Sequence, residues 1–168
     1  LHHLSQKMKD GVLLHAEQDI HLQFSDETSC ILGSGGAIKQ AEALFDANED
    51  FILQNGDEVY FPYDNELKAA LSLHRSEERL ATIIVMDHPE AGKKFGAIWV
   101  DDTGKVLGFG KNAIEGAKPK HYIGTMILNA RVIRHIPNKE INILYDTLLP
   151  LLKIEPVYAH NINCTWYE

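Results

Sequence analysis

Short apolar runs alternate along this chain with segments of helical pattern, and this alternation limits the possible folds more than any other feature. Residues 81–86 are apolar and largely β-branched, which predicts a buried strand. Residues 66–74 carry apolar side chains at helical spacing, and Asn65 stands where it can cap that helix. Repetition of the two patterns predicts an α/β fold with a mixed, mainly parallel sheet and helices on both faces.

The other predicted elements follow the same alternation, apart from one hairpin. Asp101-Asp102-Thr103-Gly104 is turn-forming composition between the apolar segments 95–100 and 105–109, which predicts two antiparallel strands there. The remaining predicted strands are 20–25, 51–53, 122–128 and 157–162, and the remaining predicted helices are 4–9, 37–45, 130–135 and 143–152.

Length and cysteine content narrow the organisation of the chain. A chain of 168 residues suits one domain, which we expect to span 1–168. The sequence opens at Leu1 rather than at a methionine and stops at Glu168 without a tail, so we expect a domain that is truncated at its N-terminus and could be cut at its C-terminus. Cys30 and Cys164 lack the paired spacing of a zinc site and predict two free thiols.

The formal net charge of −8 argues against a general nucleic-acid binder, because such proteins are usually basic. An acidic protein can still bind anionic nucleotides when a metal ion and backbone N–H groups supply the positive charge. No apolar run approaches the length of a membrane span, and the N-terminus lacks the pattern of a signal peptide. We therefore expect a cytoplasmic protein without a membrane partner, of an oligomeric state that the sequence does not fix.

Asn55-Gly56-Asp57 directly follows the predicted strand 51–53. Ligands of α/β proteins bind at the carboxyl ends of sheet strands, so Asp57 is placed to project into that crevice. There it could hold Mg²⁺, which takes one or two carboxylates together with phosphate oxygens and water. Gly56 would let a ligand approach the backbone closely. The same tripeptide is turn-forming composition, so a plain turn stays open as the alternative.

Gly33-Ser34-Gly35-Gly36 precedes the predicted helix 37–45. Small residues at a helix start expose backbone N–H groups, which favours an anion or a closely approaching base or sugar; a glycine-rich loop without a ligand is the alternative. The loop matches neither the P-loop nor the dinucleotide glycine pattern. Ser34, Asp146 and His160 do follow the chain order of an α/β-hydrolase triad, but the elbow pattern of that fold would need glycine at Leu32.

Three lysines, Lys111, Lys118 and Lys120, cluster after the predicted hairpin. They could contact phosphate or belong to a solvated loop, and their spacing alone does not decide between the two. The nine histidines show no spacing that would gather a metal site.

These motifs occur in an order that resembles the nucleotidyltransferase family that makes NDP-sugars, which includes glucose-1-phosphate thymidylyltransferases, mannose-1-phosphate guanylyltransferases and N-acetylmuramate-1-phosphate uridylyltransferases. The first similar segments are Leu1-His2-His3-Leu4 (Asn-x-His in the family), Ile31-Leu32-Gly33-Ser34-Gly35-Gly36-Ala37-Ile38 (Leu-Gly-Thr-Gly-Gly-Ala-Leu) and Phe51-Ile52-Leu53-Gln54-Asn55-Gly56-Asp57 (a strand with Asn-Gly-Asp). The later ones are Phe95-Gly96-Ala97-Ile98 (Tyr-Gly-Val-Val), Val106-Leu107-Gly108-Phe109-Gly110-Lys111 (Val-x-x-Phe-x-Glu-Lys), Tyr122-Ile123-Gly124-Thr125 (Phe-x-Gly-Ile), Asn142-Ile143-Leu144-Tyr145-Asp146 (Ser-Ile-x-x-Asp) and Thr165-Trp166-Tyr167-Glu168 (Trp-x-Asp).

The resemblance implies a Rossmann-like nucleotidyltransferase fold and a reaction between an NTP and a sugar-1-phosphate that gives an NDP-sugar and pyrophosphate. It implies that Asp57 and Glu168 bind Mg²⁺ and that Asp57 and Lys111 are catalytic residues. The residues implied to face the nucleotide are Gly33, Ser34, Gly35, Gly36, Asn55 and Gly56, and those implied to face the sugar are Gly124 and Thr125.

This sequence departs from the family pattern at three places. Gly110 stands where glutamate is usual, and Glu168 stands where aspartate is usual and reaches one methylene further. The family's first strand and its Gly-x-Gly-x-Arg loop, which grips the triphosphate, are expected upstream of Leu1, so the chain alone is not expected to be fully active. A non-catalytic nucleotide-sugar-binding or regulatory homologue is therefore the alternative to the enzyme.

Overall fold

The structure is a computed structural model that describes residues 1, 3–17, 19–27 and 30–167. Its α-helices are α1 (Ser5–His15), α2 (Gly33–Gln40), α3 (Glu66–Ser76) and α4 (Leu149–Leu151). Its strands are β1 (Asp50–Gln54), β2 (Val59–Pro62), β3 (Ala81–Met86), β4 (Ala97–Val100), β5 (Val106–Gly110), β6 (Lys118–Asn129), β7 (Tyr158–Asn161) and β8 (Cys164–Tyr167). Shorter helical segments are the 3-10 helices Glu42–Leu44 and Ala130–His135 and the π-helix Ile143–Leu148, which leads into α4.

The long strand β6 organises the main sheet. The strand order is β5-β4-β6-β3-β7, and β1 also pairs with β6, while β2 and β8 form a separate two-stranded sheet. Among the described strands only β3 and β7 pair in parallel, because β6 runs against β1, β3 and β4 and β5 folds back on β4. The predicted α/β fold with a mixed sheet is confirmed, but the expectation of a mainly parallel sheet is wrong. Strands β1 and β3 do run in the same direction, yet β6 lies between them.

Alternate positions of β3 and β6 build an apolar core on each face of the main sheet. Ile83 and Met126 belong to a core that includes residues of the π-helix and α2. Ile84 and Ile127 belong to the opposite core, which they share with Ala70 of α3. Each of these four large side chains is 0–1% exposed, and burying one of them contributes about 1.5–3 kcal/mol. Helices therefore cover both faces, as predicted.

A polar link joins the end of α3 to the start of β1 and β3. His74 is 1% exposed, its Nδ1 lies 2.9 Å from Thr82 Oγ1, and its Nε2 lies 3.3 Å from Asp50 Oδ1. Asp50 also accepts a hydrogen bond of 2.9 Å from Asn129 Nδ2 and contacts Arg75. Burial lowers the pKa of His74 below its ordinary value although Asp50 opposes this, so the imidazole is held neutral.

Several element predictions need correction. Residues 20–25, all described, lie outside the strands of both sheets, because their alternating pattern finds no sheet edge and Ile20 is 54% exposed. The small sheet of β2 and β8 was not predicted, and the helix predicted over 37–45 begins earlier, at Gly33. Asn65 does occupy the N-cap of α3, but its side chain accepts no capping hydrogen bond. None of the helices in the described part of the chain is long and apolar enough to cross a membrane.

Candidate active site at the carboxyl edge of the sheet

Three strands of the main sheet end at the same edge. Strands β1 and β3 are both antiparallel to β6, and β7 is parallel to β3, so their carboxyl ends lie together. Asn55 follows β1, His88 follows β3, and the segment that enters β8 follows β7. In α/β proteins the carboxyl edge of the sheet is where ligands bind, so the side chains gathered there form the candidate site.

A bulge in β6 opens this edge. Ile83 pairs with Met126 and Val85 pairs with Tyr122, so one intervening residue of β3 faces three intervening residues of β6. Gly124 lies within that stretch at φ +77°, a conformation that residues with a side chain rarely adopt. Its carbonyl oxygen accepts a hydrogen bond of 2.8 Å from the backbone N–H of Asn55. The bulge thus fixes the turn after β1 directly against β6.

The side chain of Glu58 lies directly above Gly124, in a space that we call the notch. Its Oε1 accepts a hydrogen bond of 2.9 Å from Asn55 Nδ2, and its Oε2 accepts one of 3.0 Å from Trp166 Nε1. A Cβ atom added to Gly124 would lie 2.7 Å from Glu58 Cδ. The half-buried carboxylate of Glu58 is therefore held by two donors and lies directly above Gly124, where an added Cβ atom would displace it.

The pairing of β2 with β8 places Trp166 beside this carboxylate. Strand β2 starts directly after the turn that carries Asp57 and Glu58, and it pairs antiparallel with β8. In that register Tyr60 lies opposite Trp166. The last described strand of the chain thus returns to the end of β1, which places the indole N–H beside Glu58.

Aromatic rings extend the site from Trp166 along the sheet edge. The rings of His121 and Trp166 have centroids 4.5 Å apart at an interplanar angle of 72°. His88 lies 5.2 Å from His121 and 5.3 Å from Phe95, centroid to centroid. Ring contacts at such distances, two of them edge-to-face and one tilted, are favourable, so these four side chains form one wall, which we call the aromatic wall.

The negative charge of Glu58 affects the pKa of the neighbouring Tyr122. Burial raises the pKa of the Tyr122 phenol well above its ordinary value, and the negative charges of Glu58 and Tyr60 raise it further. Tyr122 is therefore a neutral hydroxyl beside a carboxylate, able to donate or accept a hydrogen bond but not to act as a base.

The structure brings some of the predicted site residues together. Asn55 and Gly124 meet directly, and Thr125 lies opposite Gln54 in the β1–β6 register. Thr125 is 1% exposed and its hydroxyl donates to the Gln54 side chain, so that hydroxyl is already engaged. Gly56 and Asp57 form an exposed turn at the same edge, which fits both a plain turn and an open ligand position.

The predicted lysine cluster divides into two environments. Lys111 follows the end of β5 and is exposed. Lys118 and Lys120 lie on β6 rather than in a loop; Lys118 Nζ is 2.7 Å from Asp102 Oδ1 and Lys120 Nζ is 2.6 Å from Asp87 Oδ1. Of the three lysines, Lys111 is the one whose head group has no ion pair in the described part of the chain.

Close packing explains the glycines of the Gly33–Gly36 stretch, which forms the first turn of α2. The backbone N–H groups of Gly35 and Gly36 donate to the Ile141 carbonyl at 2.8 and 3.4 Å. A Cβ atom at Gly33 would lie 2.7 Å from that oxygen, and one at Gly36 would lie 2.5 Å from the Lys139 carbonyl oxygen. Within the described contacts this stretch therefore packs on the 139–143 segment, and its nucleotide-binding role stays a prediction.

The hydrolase alternative finds no support in these contacts. Ser34 Oγ accepts a hydrogen bond of 3.0 Å from the Ile143 backbone N–H, and Asp146 Oδ2 accepts one of 2.7 Å from the Asn142 backbone N–H. Both side chains thus stabilise the start of the π-helix. His160 lies on β7, where burial lowers its pKa.

The metal prediction rests on Asp57 alone within the described residues. Glu168, the second predicted ligand, lies outside them, as does His2 of the N-terminal motif. The described residues contain no group of three or more His, Cys, Asp or Glu side chains that could hold a metal ion. Mg²⁺ needs only one or two protein carboxylates when phosphates supply the other ligands, so an exposed Asp57 at this edge fits such a partial site.

Comparison with known proteins identifies the family. The sequence pattern of the Nucleotidyl transferase family matches residues 2–140. The chain belongs to the nucleotidyl transferase family. A curated member, the UTP–glucose-1-phosphate uridylyltransferase of Synechocystis sp., is 33% identical over 143 residues, which are 82% of this chain and 36% of that protein. The chain thus spans about a third of the length of the curated relative that it matches.

Solved structures show the same fold. HddC from Yersinia pseudotuberculosis, complexed with GMP-PN, has a TM-score of 0.76 at 22% identity, and the match covers 100% of this chain and 70% of that one. The UTP-bound UGPase from Acinetobacter baumannii has a TM-score of 0.72 at 19% identity, covering 98% and 62% of the two chains. The nucleotidyltransferase fold that the motifs implied is therefore confirmed.

Sequence reasoning missed three residues of this site: Glu58, His88 and His121. His88 stands just past the end of β3, so the rule that led to Asp57 at the end of β1 could have located it as well. Glu58 is next to Asp57 in the turn after β1, but its role depends on the contact with distant Trp166. His121 lies within β6 and is placed in the site by its ring contact with the same tryptophan.

Proposed function

We propose that the protein carrying this chain joins an NTP to a sugar-1-phosphate and releases pyrophosphate. The observation that carries the proposal is the arrangement at the carboxyl edge, where an exposed carboxylate, Asp57, stands beside a polar notch lined by Glu58 and Trp166 in a chain of the nucleotidyl transferase family. Phosphate binding beside a sugar pocket is what the reaction needs. The family membership supports NDP-sugar synthesis rather than another use of the same edge.

The reaction forms one bond and breaks one bond. A phosphate oxygen of the sugar-1-phosphate attacks the α-phosphorus of the NTP, and the bond to the pyrophosphate group breaks, so pyrophosphate leaves with its charge. The protein aligns two anions and offsets their repulsion. Asp57 and Glu168 would hold Mg²⁺, which when bound supplies positive charge against the phosphate oxygens.

The remaining predicted residues divide between the two substrates. Gly33, Ser34, Gly35 and Gly36 would face the base, and Asn55 and Gly56 would line the nucleotide at the end of β1. Lys111, whose ammonium is exposed beyond β5, would meet the sugar phosphate as a point charge. Gly124 would let the sugar approach the backbone, and Thr125 would support that floor from the neighbouring position.

Relatives suggest where a search for substrates should start. The Synechocystis relative is named for UTP and glucose-1-phosphate, and another solved relative is complexed with UDP-glucose. UTP with glucose-1-phosphate is therefore the first pair to assay, followed by the other NTPs with mannose-, galactose- and N-acetylhexosamine-1-phosphates. We also propose a cytoplasmic location, where both substrate classes are made.

The test is pyrophosphate release by the full-length protein across these pairs with Mg²⁺ present. The proposal expects turnover with at least one pair and none when either substrate is omitted. A protein that is silent on every pair, yet binds a nucleotide sugar in calorimetry, would instead be the non-catalytic homologue that the departures at Gly110 and Glu168 allow.

A further inference from the structure

We propose that Glu58 is the specificity-determining residue that accepts hydrogen bonds from the sugar hydroxyl groups. This assignment rests on the proposed function and separates two adjacent carboxylates by role, with Asp57 on the metal and phosphate and Glu58 on the sugar. It follows from the hydrogen bonding of Glu58, the floor beneath it and the wall beside it.

The hydrogen bonding of Glu58 leaves it able to accept more. An ionised carboxylate offers about four lone-pair positions. Asn55 Nδ2 and Trp166 Nε1 use one position on each oxygen and fix the plane of the group. The remaining positions are in a fixed orientation, which is what recognition of neighbouring hydroxyl groups requires.

The floor lets a ligand come close. Gly124 is held at φ +77° by the bulge in β6 and carries no side chain, so the space above its backbone contains the Glu58 carboxylate and whatever binds beside it. Tyr122, which burial keeps in its hydroxyl form, lies close enough for the charge of Glu58 to act on it. Both features suit a ligand that carries many hydroxyl groups.

The aromatic wall selects the same class of ligand. The half-buried ring of Trp166 lies next to the carboxylate, and the buried ring of His121 supports it, in contact with His88 and Phe95. Flat rings pack against the apolar C–H faces of a sugar, while carboxylate and amide groups bind its hydroxyls. The negative charge of Glu58 also repels a phosphate, so the hydroxylated end of a sugar phosphate is the end that lies on it.

The test compares Glu58→Gln with wild type in the full-length protein. The amide keeps the shape of the side chain but has one acceptor oxygen for two donors and loses the charge. We expect the KM for the sugar-1-phosphate to rise about tenfold or more, with the KM for the NTP within about twofold of wild type. Glu115→Gln, at an exposed position of the same charge, is the matched control and should leave both constants unchanged.

Deoxy sugar phosphates identify the hydroxyl contacts directly. In calorimetry, removing the recognised hydroxyl should weaken binding to wild type about tenfold and binding to Glu58→Gln much less. If the deoxy sugar phosphate loses the same affinity for both proteins, or if Glu58→Gln raises the KM for the NTP instead, the proposed role of Glu58 is contradicted. The proposed function of the protein would then still stand. If Glu58→Gln melts below the assay temperature, Glu58→Asp, which keeps the charge but is one methylene shorter, must show the same raised KM. Wild-type protein that binds no sugar phosphate would contradict the proposed function as well.

Discussion

A side chain at position 124 would displace the carboxylate of Glu58 from the notch at the carboxyl edge of the sheet. An ideal Cβ atom on Gly124 would lie 2.7 Å from Cδ and 2.8 Å from Oε1 of Glu58. The absence of a side chain at Gly124 therefore has two causes, the left-handed backbone of the bulge and the carboxylate above it. These two causes can be separated by mutation.

Gly124→Ala should destabilise the protein by about 2–4 kcal/mol, because it combines backbone strain with a close contact to Glu58. Gly116 is the matched control: it has the same φ of +77°, and nothing lies within 4 Å of its added Cβ atom. Gly116→Ala should therefore cost only the strain, about 1–2 kcal/mol. Urea denaturation of both variants measures the difference.

Combining Gly124→Ala with Glu58→Ala should restore part of the lost stability, since the shortened side chain at 58 removes the contact. If Gly124→Ala costs no more than Gly116→Ala, the contact with Glu58 has no energetic weight and the description of the notch is wrong.

Trp166→Phe should loosen Glu58 while it preserves most of the aromatic wall. The variant removes the indole N–H that donates to Glu58 Oε2 at 3.0 Å but keeps a ring beside His121. We expect a loss of about 1 kcal/mol in the free energy of unfolding and a three- to tenfold weaker binding of the sugar-1-phosphate, on the order of one hydrogen bond.

Tyr63→Phe is the control for this change. It removes an exposed hydrogen bond of 3.0 Å between the hydroxyl groups of Tyr63 and Thr165, and Thr165 lies on β8 next to Trp166. It should leave sugar-phosphate binding at the wild-type value. Equal binding by Trp166→Phe and Tyr63→Phe in calorimetry would show that the indole N–H does not orient Glu58.

The helices and the central strands were predictable because their signals are local. Residues 81–86 form β3 as predicted, since a β-branched run buried on both faces needs no partner to be recognised. Strand β6 extends over Lys118–Asn129 although only 122–128 were predicted. Its first residues are polar, and their pairing with β4 is what makes them a strand.

From the residue pattern alone, candidate site residues were found only near the ends of strands, whereas Gly124 and Thr125, which lie within β6, were expected from the family resemblance. Asn55 and Asp57 follow β1, so position along the chain was enough to select them. Glu58 owes its orientation to Trp166, 108 residues away, and that contact depends on the pairing of β2 with β8. The first three residues of strand β2 favour a strand, but a run of four residues that ends in proline is too short to be recognised without its partner β8.

The buried His74 should make stability depend on pH. Its pKa in the folded protein is below its ordinary value of 6.5, because burial disfavours the charged ring. The unfolded chain therefore binds more protons as the pH falls below about 6.5, and the free energy of unfolding falls with it. Burial raises the pKa of Asp50, but Asn129, His74 and Arg75 together lower it below its ordinary value of 3.8. The stability that the ionised Asp50 contributes is therefore lost only when the pH falls below about 3.8.

His74→Gln should flatten the change in unfolding free energy between pH 7 and pH 5, measured by urea denaturation at each pH. The unfolding free energy of this variant should still change somewhat with pH, because burial also lowers the pKa of His160. His15→Gln, at an exposed position of α1, should keep the wild-type profile. An unchanged slope in His74→Gln would mean that the His74–Asp50 link does not control this pH dependence.

The most direct test of a metal-dependent nucleotidyl transfer at this edge is the turnover of Asp57→Asn as a function of Mg²⁺ concentration. In the full-length protein, assayed with the best substrate pair, we expect kcat to fall by about 100-fold or more and the Mg²⁺ requirement to rise, because a neutral amide holds the cation poorly. Asp64→Asn is the control, since Asp64 is exposed and its φ of +52° suits asparagine. Turnover by Asp57→Asn within about twofold of wild type, at an unchanged Mg²⁺ requirement, would contradict the assignment of Asp57.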